Sequence, residues 1–322
     1  MAKKLRVITN SLRTCYQECN RMAYFRYILE RVATSDHEAL VLGCGIHDWL
    51  DAWWTAKPDP KSAFSDPYVQ AKYNAMTRGY LFRWSEWYLA SVKSVQSEVE
   101  HIVPLINPDT GAPSTYWCVG VKLDKLAVID GGLYIVEHKT SRDTSNGYFE
   151  RLRMDSQIST YDAVVRQLKL ERPLAGVLYD VLRKTQLKPL LATPIESRKY
   201  TKDGRLHATQ RDSDETPEQY EARCLSAAGE APEEYYQHYT VVRLENEVKE
   251  AARNLWFVSA SIRESINSNR WPQNPKSCRS EFGYFCDYWP VCSGRASIND
   301  STLYEYRRAH SELSKELLRD YQ

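Results

Sequence analysis

The fold is decided by a stretch that reads Gly120-Val121-Lys122-Leu123-Asp124 and, after the pair Gly131-Gly132, Ile135-Val136-Glu137-His138-Lys139. Two apolar runs of strand length on either side of a Gly-Gly pair predict a β-hairpin. Because alternate side chains of a strand share a face, we expect Glu137 and Lys139 to project together. Val136 and His138 should then point to the opposite face of the sheet.

Asp124 and Glu137 are acids in strands that are otherwise apolar, which predicts that they are buried. Buried acids are rare unless they are paired or bind a metal ion. If the register places Asp124 beside Glu137 and Lys139, a divalent ion held by the two acids would compensate their charge. Lys139 would then lie next to the reacting group, an arrangement suited to cutting phosphodiesters. The alternative is that Glu137 and Lys139 form a solvated pair at a sheet edge.

Gln157 and Tyr161 lie one turn apart on a predicted helix from about 150 to 168. The apolar stripe of this helix should face the sheet and includes Met154, Ile158 and Val165. A buried amide needs a hydrogen-bond partner. Gln157 is therefore expected either to support a site or to make a purely structural hydrogen bond.

The remaining pattern predicts a mixed α/β protein of 322 residues, with one large core or two modest domains. Helices are expected at 10–32, at 46–54, at 66–99 as one helix or two, from Thr216 onward, at 244–267 and at 301–321. His47 should lie in the first turn of the helix at 46–54, as a packed residue, a cap or a ligand. Strands are expected near 98–105, 115–129, 133–139 and 174–182. The polar segment 183–216 mixes basic residues with an aromatic, which predicts a nucleic-acid path or a solvated excursion.

The composition is that of an ordinary soluble protein, with 43% apolar and 26% charged residues and a net charge of +1. No global field therefore draws it to nucleic acid. The 22 Tyr and 9 Trp could stack on bases, although most are expected in the core. No run approaches the ~20 apolar residues of a membrane span, and the N-terminus lacks a signal-peptide pattern. We expect a cytoplasmic protein without a membrane partner.

The eight cysteines are better metal-ligand candidates than disulfide partners in a reducing compartment. Cys278, Cys286 and Cys292 fall within fifteen residues, without a C-x-x-C motif. They could supply three ligands to an iron–sulfur cluster, with a fourth from elsewhere in the chain. Zinc and unligated thiols remain alternatives on spacing alone.

Taken in order, the motifs resemble the RecB-type branch of the PD-(D/E)XK nuclease superfamily. They are His47, Gly120-x-x-x-Asp124, Glu137-x-Lys139, Gln157-x-x-x-Tyr161 and the cysteine triplet. The pattern looks most like the iron–sulfur members: CRISPR-associated RecB-like exonucleases, the AddB nuclease domain and phage relatives. The resemblance covers Ser11 to Cys292. It implies a restriction-endonuclease-like α/β core, with a central mixed β-sheet flanked by helices.

The resemblance also implies one nuclease domain over 1–322. An N-terminal helical region would span 1–97, the catalytic core 98–192, an insertion with helices 193–268 and the cysteine segment with a C-terminal helix 269–322. Mg²⁺ or Mn²⁺ would be bound by the side chains of His47, Asp124 and Glu137 and by the carbonyl of His138. Lys139 would orient water or stabilise the pentavalent phosphate. Gln157 and Tyr161 would support the site and touch DNA.

A 4Fe-4S cluster is implied at the cysteines. The segment from Cys19 to Tyr27 looks like the family's N-terminal cysteine stretch, which makes Cys19 the fourth ligand beside Cys278, Cys286 and Cys292. Asn20 replaces the usual Pro there, so Cys15 stays an alternative. Leu123 likewise stands before Asp124 where the superfamily's name has Pro.

The expected function is metal-dependent hydrolysis of DNA, by an exonuclease on single strands or duplex ends. Phage recombination, repair and CRISPR adaptation are the candidate settings, with partner proteins from those pathways. The alternatives are a non-catalytic iron–sulfur or zinc DNA-binding module with a degenerate site, and a zinc protein that contacts only other proteins. The sequence leaves cleavage polarity and oligomeric state open.

Overall fold

The computed structural model describes residues 5–34, 38–60, 62–279, 283–319 and 321, with the side chains of 38–40 left out. Its strands are β1 (Arg6–Ile8), β2 (Arg31–Ala33), β3 (Val92–Ile106), β4 (Pro113–Ile129), β5 (Gly132–Ser141), β6 (Leu174–Arg183), β7 (Tyr236–Val241) and β8 (Tyr304–Tyr306). Its α-helices are α1 (Asn10–Glu18), α2 (Asn20–Ala23), α3 (Glu38–Trp54), α4 (Pro67–Ser91), α5 (Asn146–Leu152), α6 (Ser156–Gln167), α7 (Pro217–Glu230), α8 (Pro232–Tyr235), α9 (Glu245–Ser268), α10 (Trp289–Cys292) and α11 (Lys315–Leu318). None of these helices combines the length and the apolar character needed to cross a bilayer.

The central sheet is mixed and has six strands in the order β1-β4-β5-β6-β7, with β3 on the other edge of β4. β1 is parallel to β4 and β5 is parallel to β6, while the other neighbours are antiparallel. The predicted hairpin is confirmed: Ile129 pairs with Gly132 around a turn at Asp130 and Gly131. Both turn residues have positive φ, 49° and 85°, which suits a two-residue hairpin turn.

Helices cover both faces of this sheet, which confirms the predicted fold class of a mixed sheet flanked by helices. One face packs against α1, α6 and α9 in what we call the α6 core, which includes Val121, Leu123, Ile135, Ile158 and Ile262. The other packs against α3 and α4 in the α3 core, which includes Leu50, Tyr80, Ala127, Val136 and Leu178. The alternation predicted for β5 is observed, because Ile135 belongs to the α6 core and Val136 to the α3 core.

The long β3–β4 hairpin contributes side chains to both cores. In β4 the alternation of side chains between the two faces of the sheet shifts by one residue at Asp124, which we call the change of phase. Leu123 packs in the α6 core, whereas Lys125 bonds to Asp51 of α3, on the opposite face. On β3, opposite this point, Glu98 has a φ of 53°. The phase change leaves Asp124 at a twist in the strand, beside the end of the β4–β5 ladder.

The single N-terminal helix predicted at 10–32 is interrupted at Cys19 and ends at residue 28. Cys19 adopts extended backbone and caps α1, a short α2 follows, and residues 24–28 form a π-helix before β2. β2 then pairs with β8, some 270 residues later. This long-range pairing replaces only the last residues of the predicted helix, and no local pattern could indicate it.

Three other helix predictions need correction. α3 begins at Glu38, so Gly43 and Gly45 lie within it and His47 lies beyond its first turn. The helix predicted at 150–168 is two helices separated at 153–155, and Met154 is 89% exposed rather than buried. In the tail 301–321 the described residues contain β8 and only the one-turn helix α11.

Gly79 in α4 should be needed for packing rather than for flexibility. A Cβ at this position would lie 2.0 Å from the Tyr236 hydroxyl oxygen. We expect Gly79→Ala to lower the free energy of unfolding by about 1–3 kcal/mol through overpacking, as measured by chemical denaturation. Gly229→Ala in α7 is the control, because nothing lies within 4 Å of its Cβ, and it should be neutral or stabilising by up to about 1 kcal/mol. If the two substitutions changed the free energy of unfolding equally, the conclusion that packing requires Gly79 would be contradicted.

Candidate active site

Four of the predicted site residues form one hydrogen-bonded cluster between β5 and α6. Lys139 Nζ donates to Glu137 Oε1 (2.6 Å) and to Gln157 Oε1 (3.0 Å). Gln157 Nε2 donates to the same Glu137 oxygen (2.9 Å) and to the Tyr161 hydroxyl (2.8 Å). The Gln157 amide therefore links the acid, the amine and the phenol in a single network.

Asp124 joins this cluster from β4. Its Oδ2 accepts a hydrogen bond from the backbone N–H of His138 (2.9 Å), just beyond the last paired residues of the β4–β5 ladder. The same oxygen lies 3.7 Å from His47 Nδ1 on α3. His47 thus reaches the acids from the opposite layer of the fold, and the six predicted side chains lie together.

The position of α6 is fixed by Asp155, a residue that the sequence analysis did not single out. Its side chain caps α6 by accepting from the Gln157 N–H (2.7 Å) and also accepts from the Tyr179 hydroxyl (3.2 Å). Asp155 also raises the pKa of Glu137, after burial and Asp124. The break before α6 therefore starts the helix at the residue that sets Gln157 against the acids.

Burial controls the charge states of the site. It raises the pKa of Glu137 to about 8, and the negative charge of Asp124 adds to the effect. Burial alone would lower the pKa of Lys139, but the contact with Glu137 outweighs it and raises that pKa above its ordinary value. Burial also lowers the pKa of His47, against the opposing effect of Asp124, which favours the neutral imidazole that binds metals. The site holds acids that need a cation and an amine that stays charged.

A cleft reaches these residues through an open edge of β4. β3 pairs with one edge of β4. On the other edge, β1 pairs with residues 117–119 and β5 pairs with residues 125–129. Between them the stretch 120–124 has no strand partner on that edge among the described residues, and Tyr161 donates to the Lys122 carbonyl there (2.8 Å). A cavity of about 260 Å³ opens at this gap and includes Gly120, Asp124, Gln157 and Tyr161 in its lining.

Gly120 allows the wall of this cleft to close tightly. A Cβ on Gly120 would lie 2.7 Å from side-chain atoms of both Val7 and Leu313. Val7 belongs to β1 and Leu313 to the segment before α11. The glycine of the Gly120-x-x-x-Asp124 motif is therefore explained by packing of distant segments against β4.

The donor set suits a divalent cation. Glu137 is 2% exposed, and its Oε2 has no hydrogen-bond partner among the described residues. Two carboxylates and a neutral imidazole are ligands that Mg²⁺ or Mn²⁺ accepts. As they stand, no three His, Cys, Asp or Glu side chains in the described ranges form a group that could hold a metal ion. The chemistry of the donors fits the ion, and the acids would have to draw together to bind it.

A second buried network, which the sequence analysis missed, lies behind β5. Asp180 of β6 is fully buried and accepts from His138 Nδ1 (2.9 Å) and from the Tyr80 hydroxyl (2.5 Å). His238 Nε2 lies 3.4 Å from the other Asp180 oxygen. Burial would raise the pKa of Asp180, but the hydrogen bond from His138 and the nearby His238 ring hold it well below its usual range. A lone acid in the apolar strand Leu174–Arg183 was the available sequence signal.

The candidate cluster cysteines lie at a separate place, where α1 ends. The backbone N–H of Asn274 donates to Cys19 Sγ (3.4 Å), and the N–H of Cys286 donates to the Cys278 carbonyl (2.9 Å). Burial raises the pKa of Cys292, and the nearby Cys19 and Cys278 raise it further. Burial also raises the pKa of Cys286, and Cys19 and Cys278 again raise it further. The four thiols are half-buried but as they stand do not form a group that could hold a metal ion among the described residues, and all eight cysteines of the chain are free.

Asp180→Asn should destabilise the protein by about 2–4 kcal/mol, because an amide cannot accept from all of the donors around the carboxylate. Chemical denaturation near pH 7 measures this, with the exposed Asp203→Asn as the control at less than about 0.5 kcal/mol. Since the folded pKa is depressed, the stability that Asp180 supplies exists above its unfolded pKa of about 4 and is lost as pH falls below it. The difference between wild type and Asp180→Asn should therefore shrink in acid. A difference that is constant with pH would show that the buried carboxylate is not charged.

Comparisons with known proteins give little beyond this geometry. No family model matches the chain, and no curated protein matches it. Among solved structures it is similar to a protein from Eubacterium rectale that carries the provisional description of exonuclease. The similarity covers 91% of this chain and 89% of that chain, at 12% identity and a TM-score of 0.46. At that level it supports no argument about activity.

Proposed function

We propose that this protein is a metal-dependent deoxyribonuclease of the RecB-like PD-(D/E)XK type. The observation that carries the proposal is the buried Glu137 carboxylate, with one oxygen shared by Lys139 and Gln157 and the other left without a partner among the described residues. A buried acid with an unused oxygen is costly unless a cation uses it. Asp124, which lies 3.7 Å from His47, would supply a second ligand and His47 a third once the acids draw together.

The proposed mechanism assigns a task to each residue. Asp124, Glu137, His47 and the His138 carbonyl would hold Mg²⁺ or Mn²⁺, which would activate water near neutral pH and offset charge on the phosphate. Lys139, held charged by Glu137, would orient the attacking water or stabilise the pentavalent phosphate. Gln157 fixes the Lys139 ammonium and the Glu137 carboxylate relative to each other. Tyr161 anchors Gln157 to the Lys122 carbonyl and so ties the network to β4.

The substrate proposed is DNA, as single strands or duplex ends. The cleft at the open edge of β4 is lined by acids as well as by Lys122, so a phosphate entering it needs a cation beside Asp124. Lys122 also forms an ion pair with Glu98 at the cleft wall. This charge pattern favours a substrate that arrives together with a divalent ion.

We further propose that Cys19, Cys278, Cys286 and Cys292 hold a 4Fe-4S cluster. Asn274 supports this, because its backbone N–H donates to Cys19 Sγ while its side-chain amide donates to the Glu18 carbonyl (2.7 Å). Cys15 fits less well, since it is 6% exposed and packs in the α6 core. The cluster would link the end of α1 to the segment around α10 and would be structural.

Cleavage of end-labelled DNA with Mn²⁺ tests the nuclease proposal. We expect the wild type to degrade single strands or duplex ends and EDTA to abolish this. Glu137→Ala and Lys139→Ala should each reduce the rate at least about a hundredfold, because each removes a group that acts on the reacting phosphate. Glu86→Ala and Lys93→Ala, at exposed positions, are the charge-matched controls and should retain activity. Mn²⁺-dependent degradation by Glu137→Ala would reject the site.

The colour and metal content of anaerobically purified protein test the cluster. We expect a brown protein with broad visible absorption, lost in Cys19→Ser and retained in Cys15→Ser. Cys44→Ser, at an exposed thiol, is a second control that leaves the core untouched. A colourless protein that contains zinc would refute the iron–sulfur assignment, and loss of colour in Cys15→Ser alone would make Cys15 the ligand.

A further inference from the structure

The segment 184–216 forms an ordered arm that the proposed mechanism does not use. Its two limbs are joined by backbone hydrogen bonds, among them Thr193 N–H to the Arg211 carbonyl (2.8 Å) and His207 N–H to the Lys199 carbonyl (2.8 Å). At the tip Tyr200 pairs with Leu206 in an isolated β-bridge, and the turn has a positive φ of 73° at Gly204. The arm is a hairpin-like projection rather than an irregular loop.

The base of the arm is fixed by a buried ion pair. Glu215 is 3% exposed and receives two hydrogen bonds from Arg223 of α7, at 2.7 and 2.6 Å. Glu215 Oε2 also accepts from the Leu190 N–H (2.9 Å), and the Glu215 carbonyl accepts from the Tyr68 hydroxyl of α4 (2.6 Å). Such charge-assisted bonds hold both limbs against α4 and α7. The arm therefore has a defined direction.

The cations of the arm fall into two groups. The arm, residues 184–216, contains seven Lys or Arg and five acids, and three of the acids (Asp212, Asp214 and Glu215) lie in its last five residues. The guanidinium of Arg198 donates hydrogen bonds within the arm, to the Thr193 and Asp212 carbonyls (both 2.9 Å). By contrast, the exposed side chains of Lys199, Lys202 and Arg205 make no hydrogen bond or ion pair with any described residue. The charge at the tip is thus available to an external anion.

Tyr200 stands among these cations. It is 61% exposed, although a tyrosine of a stable hairpin could pack on the opposite limb. Aromatic faces next to backbone-tracking cations are the pairing that binds unpaired bases, because every base offers a π face. A solvated loop would gain nothing from exposing the ring.

The arm leaves the sheet beside the candidate active site. Lys139 pairs with Val181 in the β5–β6 ladder, and the Lys184 N–H donates to the Ser141 carbonyl (2.7 Å) where the strands end. At this base, burial lowers the pKa of Lys184, and the positive charges of Arg142 and Lys72 lower it further. Lys184, Arg142 and Lys72 therefore place cations at the start of the arm, beside the end of β5.

We propose that the arm is a binding site for single-stranded DNA, with Lys199, Lys202 and Arg205 on the phosphates and Tyr200 stacked on a base. The site rests on the proposed nuclease function for its substrate and extends it, because it would hold the strand outside the candidate active site. The arm acts on binding and does not touch the reacting atoms.

Binding of a fluorescent 30-nucleotide single strand in EDTA tests this proposal without cleavage. The variant Lys199→Gln/Lys202→Gln/Arg205→Gln should bind at least about tenfold more weakly at low salt. Its slope of log affinity against log salt should be shallower by about 2, because each phosphate that a cation neutralises contributes about 0.7 to the slope. Tyr200→Ala should weaken binding about fivefold or more with an unchanged slope, and should leave binding of a blunt duplex unaffected. Lys249→Gln and Phe257→Ala, exposed on α9, are the matched controls.

Arm variants that bind the single strand as tightly as wild type, or no more weakly than the α9 controls, would overturn the proposal. So would arm variants that lose affinity for an RNA strand or for poly-glutamate but not for DNA. Circular dichroism and thermal unfolding check that the tip substitutions leave the fold intact. Cleavage by the wild type with Mn²⁺ is measured separately: a protein that binds through the arm but does not cut refutes the nuclease proposal and not the arm, and the reverse result refutes the arm alone.

Discussion

The interaction on which the site depends is the one that satisfies the Glu137 carboxyl group inside the protein. The carboxylate is nearly inaccessible to water, and its desolvation is offset by Lys139 and Gln157, which share one of its oxygens. Those partners come from β5 itself and from α6, so the position of α6 on the sheet follows from the need to satisfy this acid. Tyr161 and Asp155 then fix the helix at both ends of the contact.

Access to Asp124 comes from an incomplete sheet rather than from a loop. β4 is long enough to pair with β1 near its start and with β5 near its end, and the gap between these partners exposes the backbone around Lys122. In the same gap, the Asp124 side chain accepts a hydrogen bond from the backbone N–H of His138 in β5. On the opposite face of the sheet, Asp180 of β6 accepts a hydrogen bond from the side chain of His138 in β5. The strand that carries Glu137 and Lys139 is thus held from both sides.

The sequence was informative where local rules decide the structure and uninformative where distant segments meet. The Gly131 turn and the alternation of Ile135, Val136 and Glu137 predicted the hairpin and its faces. The break before Gln157 was missed because Met154 fits an apolar stripe, although the chain turns there and exposes it. The tail was predicted to be helical from its charges, yet its residues pair with β2 and pack Leu313 against Val7. The register that brings Asp124 to the N–H of His138 depends on the whole sheet, so the spacing of the motifs could only suggest it.

The change of phase in β4 has a consequence for how the molecule comes apart. One continuous hairpin supplies side chains to the layers on both sides of the sheet, with Leu123 in one and Ala127 in the other. Neither layer can separate from the sheet by itself without exposing apolar residues of this shared ribbon to water. The two halves of the interior are therefore coupled mechanically, and loss of one entails loss of the other as a single cooperative unit.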